Sequence, residues 1–165
     1  MALNLFKIET VEVASPVTSV TFSSIPQGYT DLVVKASMRD NGGNNNFVVE
    51  FNGNSSSIYT QKTLIAESTT VSSVSRAARA NFYYDAIDDN THTASVFNSF
   101  EMYIPNYTSA NFKSVSTESA SENNTAAKGI RNMSADLFSS TAAITSIKFT
   151  QVFAPNSTFT LYGVL

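Results

Sequence analysis

The chain has 165 residues, enough for one sizeable core and short for two, with only 14% charged residues, a formal net charge of -3 and no cysteine. Without cysteine there is neither a disulfide framework nor a cysteine-ligated zinc site, and without a dense Lys/Arg cluster there is no electrostatic footprint for nucleic acid. No apolar run reaches the roughly 18–20 residues of a membrane-spanning helix, and the opening residues meet Glu9 before any long apolar stretch, so a soluble chain without a classical leader is expected.

Soluble domains usually carry about 25% charged residues. Here Ser, Thr and Asn take the polar positions, which suits exposed strand faces and turns better than surface helices. In chain order, period-2 alternation predicts strands over residues 8–13 and 17–25, then over "DLVVKASMRD", where Leu32, Val34, Ala36 and Met38 share one face. "RDNGGNNN" is a Gly/Asn loop able to hold positive φ. Phe47, Val49 and Phe51 form the next apolar face, and Asn52-Gly53 predicts a tight type I′ hairpin into a partner strand over 58–67. The segment 70–81 offers a turn or two of helix or an edge strand, and its β-branched and Ser content favours strand or loop. Strands follow over 80–84, 96–104, 112–119, 143–153 and 158–164, with loops at "DAIDDNTHT" and "SENNTAAKG" and a short helical turn near 134–139. Nine or ten short antiparallel strands at this spacing predict an all-β sandwich or barrel. A single domain spans 1–165, with residues 1–6 as an N-terminal arm.

Candidate chemistry is sparse. The one histidine, His92, would have to serve any Ser-His-Asp triad, yet no Gly-x-Ser-x-Gly elbow accompanies it, and a surface loop residue is expected. Asp85, Asp88, Asp89 and Asn90 supply oxygen ligands without the alternate spacing of a calcium loop, so a solvated acidic turn is the simpler reading. Glu50, Glu101 and Glu118 are the carboxylates available for glycoside hydrolysis, each within a predicted strand. Five Asn-x-Ser/Thr sequons, at Asn54, Asn106, Asn123, Asn132 and Asn156, read as accidents of composition. Arg76 and Arg79 followed by Tyr83 and Tyr84 form a candidate ligand patch, and strand aromatics usually serve core or interface.

The most distinctive segments are corners that join a strand to an Asn, Gly or Pro turn. Ile25-Pro26-Gln27-Gly28-Tyr29-Thr30-Asp31-Leu32, Phe51-Asn52-Gly53, Ile104-Pro105-Asn106-Tyr107, Ala143-Ile144-Thr145-Ser146-Ile147 and Leu161-Tyr162-Gly163 follow one another in this order. In that order they resemble a family of small virion proteins of tailed bacteriophages, variously head decoration, head fibre or tail fibre proteins. The segment "GIRNMSADLFSS" departs from the Trp- or Gly-rich stretch of many relatives. The resemblance implies a jelly-roll-like β-sandwich and a non-enzymatic structural role, without cofactor, metal, membrane or nucleic acid. Since no long coiled-coil or triple-β shaft is read in the sequence, the expectation within that family is a capsid decoration (cement) protein on the virion surface, made in the bacterial host cytoplasm, with the major capsid protein and its own copies for partners, as a homotrimer like many jelly-roll virion proteins. A receptor- or glycan-binding module of a head or tail fibre is the alternative. The fold-defining corners are then Pro26, Asn52, Gly53, Pro105 and Asn106, and the candidate interface is Leu3, Leu5, Phe6, Tyr103 and Tyr107.

Overall fold

The structure, a computed structural model, describes residues 4–85, 87–124 and 129–165. Its strands are β1 (Leu5–Glu12), β2 (Val17–Phe22), β3 (Asp31–Met38), β4 (Asn46–Phe51), β5 (Tyr59–Glu67), β6 (Thr70–Arg79), β7 (Phe82–Asp85), β8 (Asn98–Ile104), β9 (Lys113–Ser121), β10 (Ile130–Phe138), β11 (Ile147–Phe153) and β12 (Thr158–Val164). They form two antiparallel sheets, one ordered β1-β12-β3-β8-β9-β10-β5-β6 and the other β2-β11-β4-β7. The chain is thus an all-β sandwich, with twelve strands among the described residues instead of nine or ten.

Within it, β1-β12-β3-β8 facing β2-β11-β4-β7 is the strand order of a jelly roll. Along the chain each of these strands passes to the opposite sheet, except β4 to β7, which stay together. Two hairpins are inserted into this frame. β5-β6 lies between β4 and β7, and β9-β10 lies between β8 and β11; all four strands extend the larger sheet beyond β8. The larger sheet therefore outgrows the smaller one.

This topology corrects the Asn52-Gly53 hairpin. β4 pairs with β11 and β7, whereas β5 pairs with β10 and β6. Both turn residues do hold positive φ, 56° and 62°, but seven residues separate β4 from β5 and carry the chain across to the other sheet. A tight turn thus ends β4 without folding it back. The expected helical turn at 134–139 is instead the end of β10, paired residue by residue with β9 and β5. Of segment 70–81, Thr70–Arg79 is the edge strand β6.

The core lies between the sheets and is largely aromatic. Phe47 meets Phe100 edge-on at 5.2 Å, Tyr59 meets Phe82 at 4.8 Å, Phe51 meets Phe138 at 5.4 Å and Phe149 meets Phe159 at 5.3 Å, each pair bridging the two sheets. Burying each such ring contributes roughly 1.5–3 kcal/mol, with a further ~0.5–1.5 kcal/mol from edge-to-face geometry. The Tyr59 hydroxyl donates to the Asn54 carbonyl at 2.8 Å and accepts from the Phe51 amide at 3.0 Å. Burial pushes that phenol up to about 12.

Candidate functional site

Several of the corners meet at one end of the sandwich. The Ile25 amide donates to the Thr145 carbonyl at 3.0 Å, and the Ile144 amide to the Tyr107 carbonyl at 3.0 Å. Gln27 Nε2 donates to the carbonyls of Ile25 (2.7 Å) and Ile144 (3.1 Å). Asn52 closes the set: its Oδ1 accepts from the amides of Thr145 (2.8 Å) and Ser146 (3.2 Å), while its Nδ2 donates to the Ala143 carbonyl (2.8 Å). Asn106 sits at φ 47° and its amide donates to Asp31 Oδ1 at 2.8 Å, which is the geometry a short polar residue after Pro105 can hold.

The two tyrosines of this corner have different roles. Tyr107 is wholly buried and its hydroxyl donates to the Pro26 carbonyl, so it joins two corners and presents nothing to a partner; burial raises its phenol. Tyr103 is half-buried on the outer face, and its hydroxyl donates to Asp31 Oδ2 at 2.7 Å, a bond that raises its phenol. Lys113 is buried beside them, its ammonium donating to the carbonyls of Ser109 (2.7 Å), Ala142 (2.6 Å) and Ser140 (3.3 Å), and burial lowers its pKa. At the far strand, Tyr29 lies across Gly163, where an added Cβ would overlap the ring. Two of the corner motifs are therefore in direct contact.

Leu3, one of the three residues expected at an interface in the arm, lies outside the described residues. Leu5 and Phe6 belong instead to β1, paired with Val164 and Gly163, each 41% exposed, and Phe6 stacks on Tyr29 at 6.2 Å. The strand therefore starts at Leu5 rather than at residue 8.

Among the described residues no strand packs over the outer face of the larger sheet. One register row runs Thr10, Thr160, Lys35, Glu101, Glu118, Met133, Leu64, Ser73 across all eight strands. Glu101 and Glu118 stand directly opposite each other, and each is neutralised: Lys35 Nζ lies 2.8 Å from Glu101, and Arg131 pairs with Glu118. The hydrogen bond with Glu101, followed by its charge, raises the Lys35 pKa. Past Glu118 the face becomes apolar and hydroxyl-rich around Lys62, whose ammonium donates to Ser75 Oγ at 3.1 Å. Met133 and Leu64 are 48% and 49% exposed, and with Tyr103, Ser116 and Ala135 they line an open trough of about 780 Å³.

The remaining candidates lie elsewhere. Glu50 is on the smaller sheet, so the three glutamates do not converge. Tyr84, expected in a ligand patch, is buried with its hydroxyl on Asp136 at 2.7 Å, because alternate residues of β7 point to opposite faces; only Tyr83 faces out, under the Arg76 guanidinium at 4.9 Å. The solvated acidic turn is also corrected. Asp88 is 1% exposed and accepts from Ser121 Oγ and Asn123 Nδ2, and the His92 ring, expected at the surface, lies 3.0 Å from it with a side chain 5% exposed. Arg39 draws that loop in, its guanidinium donating to the carbonyls of Asp89 (2.5 Å), Val96 (2.7 Å), Thr93 (2.9 Å) and His92 (3.2 Å). Among the described residues no group of three acidic or histidine side chains is placed to hold a metal ion.

Sequence reasoning missed a buried polar layer under β7. Asp136 accepts from Tyr84, Gln61 Nε2 (3.1 Å), Thr117 Oγ1 (3.2 Å) and Ser134, and burial outweighs these bonds and raises its pKa. Gln61 Oε1 also accepts from the Tyr83 amide at 2.6 Å, and Asn132 Nδ2 donates to the Asp85 carbonyl. Side chains of the inserted strands thus cap the free edge of the smaller sheet. The available signal was alternation itself, with polar residues at the inward positions 132, 134 and 136.

Architecture and corners together define a jelly-roll β-sandwich enlarged on one sheet by two hairpins. The chain matches no protein-family model and no curated protein.

Proposed function

We propose that this chain is a non-enzymatic structural protein of a tailed-bacteriophage virion, a decoration protein seated on the outer surface of the head against the major capsid protein. The observation that carries the reading is the uncovered face of the larger sheet. Glu101 and Glu118 are each paired with a cation within the face, Lys62 is turned to the Ser75 hydroxyl, and the centre is hydroxyl-rich with exposed Met133 and Leu64, a composition suited to broad contact with another protein. The order of the corner motifs supports the same reading, since a jelly roll by itself serves many functions. A second reading, glycan binding at a fibre or on the head, is favoured by the trough beside Tyr103.

The test is reconstitution on heads that lack the protein. Saturable binding at lattice positions, lost in Met133→Glu while the thermal transition is kept, is the expected result. Copies confined to the tail of the intact virion, or heads that bind Met133→Glu as well as the native chain, would overturn it. Glycan-array binding abolished by Tyr103→Ala would move the assignment to the second reading.

A further inference from the structure

The four sheet edges are not protected alike. β1 carries Lys7, Glu9 and Glu12 and a register shift between Lys7 and Glu9. β2 is six residues long and follows Pro16, and β7 is four residues long and capped by Gln61 and Asn132. β6 has none of these devices along its tip. It is ten residues long, no other described strand pairs with its outer edge, and Thr70-Val71-Ser72-Ser73-Val74-Ser75 contains no charge and no proline. Its register shift and the positive φ of Ala78 lie at the base, where Arg76 is held by Asp85 at 2.8 Å. A long, uncharged, uncovered edge is a template for another strand.

We propose that the tip of β6 pairs antiparallel with β6 of a second copy about a two-fold axis through Ser73, joining the two larger sheets into one. The strand is its own complement in this register. Val71 faces Ser75, Ser72 faces Val74, and Thr70 faces Arg76, so the two Arg76 side chains stand at opposite ends, roughly 20 Å apart at about 3.4 Å per residue. Centring the pair on Arg76 instead would place two cations face to face, which disfavours that slip. On the outer face the row Met133, Leu64, Ser73 continues into its symmetry mate, and Val71, 69% exposed, gains a neighbour on the partner strand. The contact closes at two copies, in contrast to the three implied by the family resemblance, and it does not depend on the virion reading.

The cysteine-free chain makes the test direct. In the proposed pair the Ser73 Cα atoms would be about 4.5–5.5 Å apart, inside the range a disulfide spans. Under mild oxidation Ser73→Cys should give a covalent dimer, while Ser99→Cys, exposed on the outer face of β8 away from any edge, should form no covalent link. In sedimentation the native chain should show a concentration-dependent monomer–dimer equilibrium that Ser73→Lys weakens by at least about tenfold, since like charges would face each other. The proposal is overturned if Ser73→Cys links no better than Ser99→Cys, if the native chain sediments as a monomer at every concentration, or if any dimer or trimer is unaffected by Ser73→Lys.

Discussion

Asn52 concentrates two separate contributions that substitution can separate. Its backbone holds φ 56°, a conformation that asparagine tolerates and alanine adopts at about 1 kcal/mol or more. Its side chain accepts from two amides and donates to one carbonyl of the 143–146 segment. Each bond in so partly exposed a site contributes about 0.5–1 kcal/mol net. Asn52→Ala loses both terms and should destabilise the fold by about 3 kcal/mol. Asn52→Gly keeps the conformation and loses only the bonds, for about 2 kcal/mol. In a domain of this size each kcal/mol moves the melting temperature by about 2–4 °C, so the alanine variant should melt roughly 6–12 °C lower. Urea unfolding of the three proteins, checked for an unchanged m-value, reads the difference. Equal losses in the alanine and glycine variants would refute the conformational term, and losses under about 0.5 kcal/mol in both would refute the idea that this corner ties β4 to the 143–146 segment.

Two further outcomes follow from the corners and the buried layer. Gly163→Ala places a methyl into the Tyr29 ring and should cost about 1–3 kcal/mol, with a sub-additive loss in Gly163→Ala/Tyr29→Ala; additive losses in that chemical-denaturation cycle would show that the ring is not the obstacle. Asp136 has a folded pKa raised above 3.8 by burial, so between the two values the native state binds the extra proton and stability falls as pH rises through the folded pKa. The unfolding free energy of the native chain minus that of Asp136→Asn should therefore decline as pH rises above about 4 and level off past the folded pKa, and a flat or rising difference excludes a raised pKa.

The sequence was informative where burial and hydrophobicity coincide. In β3 and β4, and in β8 from Phe100 onward, the inward positions are apolar, and alternation identified these strands to within two residues. It failed where they part company. β10 turns Asn132, Ser134 and Asp136 inward and Met133 outward, so its pattern is inverted and reads as a polar turn. β6 has no buried residue at all, and nothing in its composition distinguishes an uncovered edge strand from a loop. The Asn52-Gly53 backbone was read correctly while its partner was not, because a turn fixes the exit direction of a strand and not which sheet receives the chain. At the candidate site, Asp88, Asp89 and His92 looked solvated since no local pattern announces that Arg39, some fifty residues away, gathers the carbonyls of their loop.

These misses share a physical origin in the inserted hairpins. A jelly roll of eight strands buries two matched apolar faces, and its sequence pattern says so. β5, β6, β9 and β10 widen one sheet without a matching widening of the other, so the space beneath them is closed by β7 and the loop after it. Those closing segments bring backbone amides and carbonyls, which an apolar surface would leave unpaired at roughly 1–3 kcal/mol each. Gln61 and Asn132 answer that demand at the Tyr83 amide and the Asp85 carbonyl, and Asp136 takes the buried Tyr84 hydroxyl beside them. The same widening enlarges the outer face of that sheet and carries its edge out to β6, which no other described strand pairs beyond β5. Polar residues inside and open surface outside are two consequences of one asymmetry, and the hairpins that obscured the fold in the sequence are the elements that give this jelly roll surfaces to offer a partner.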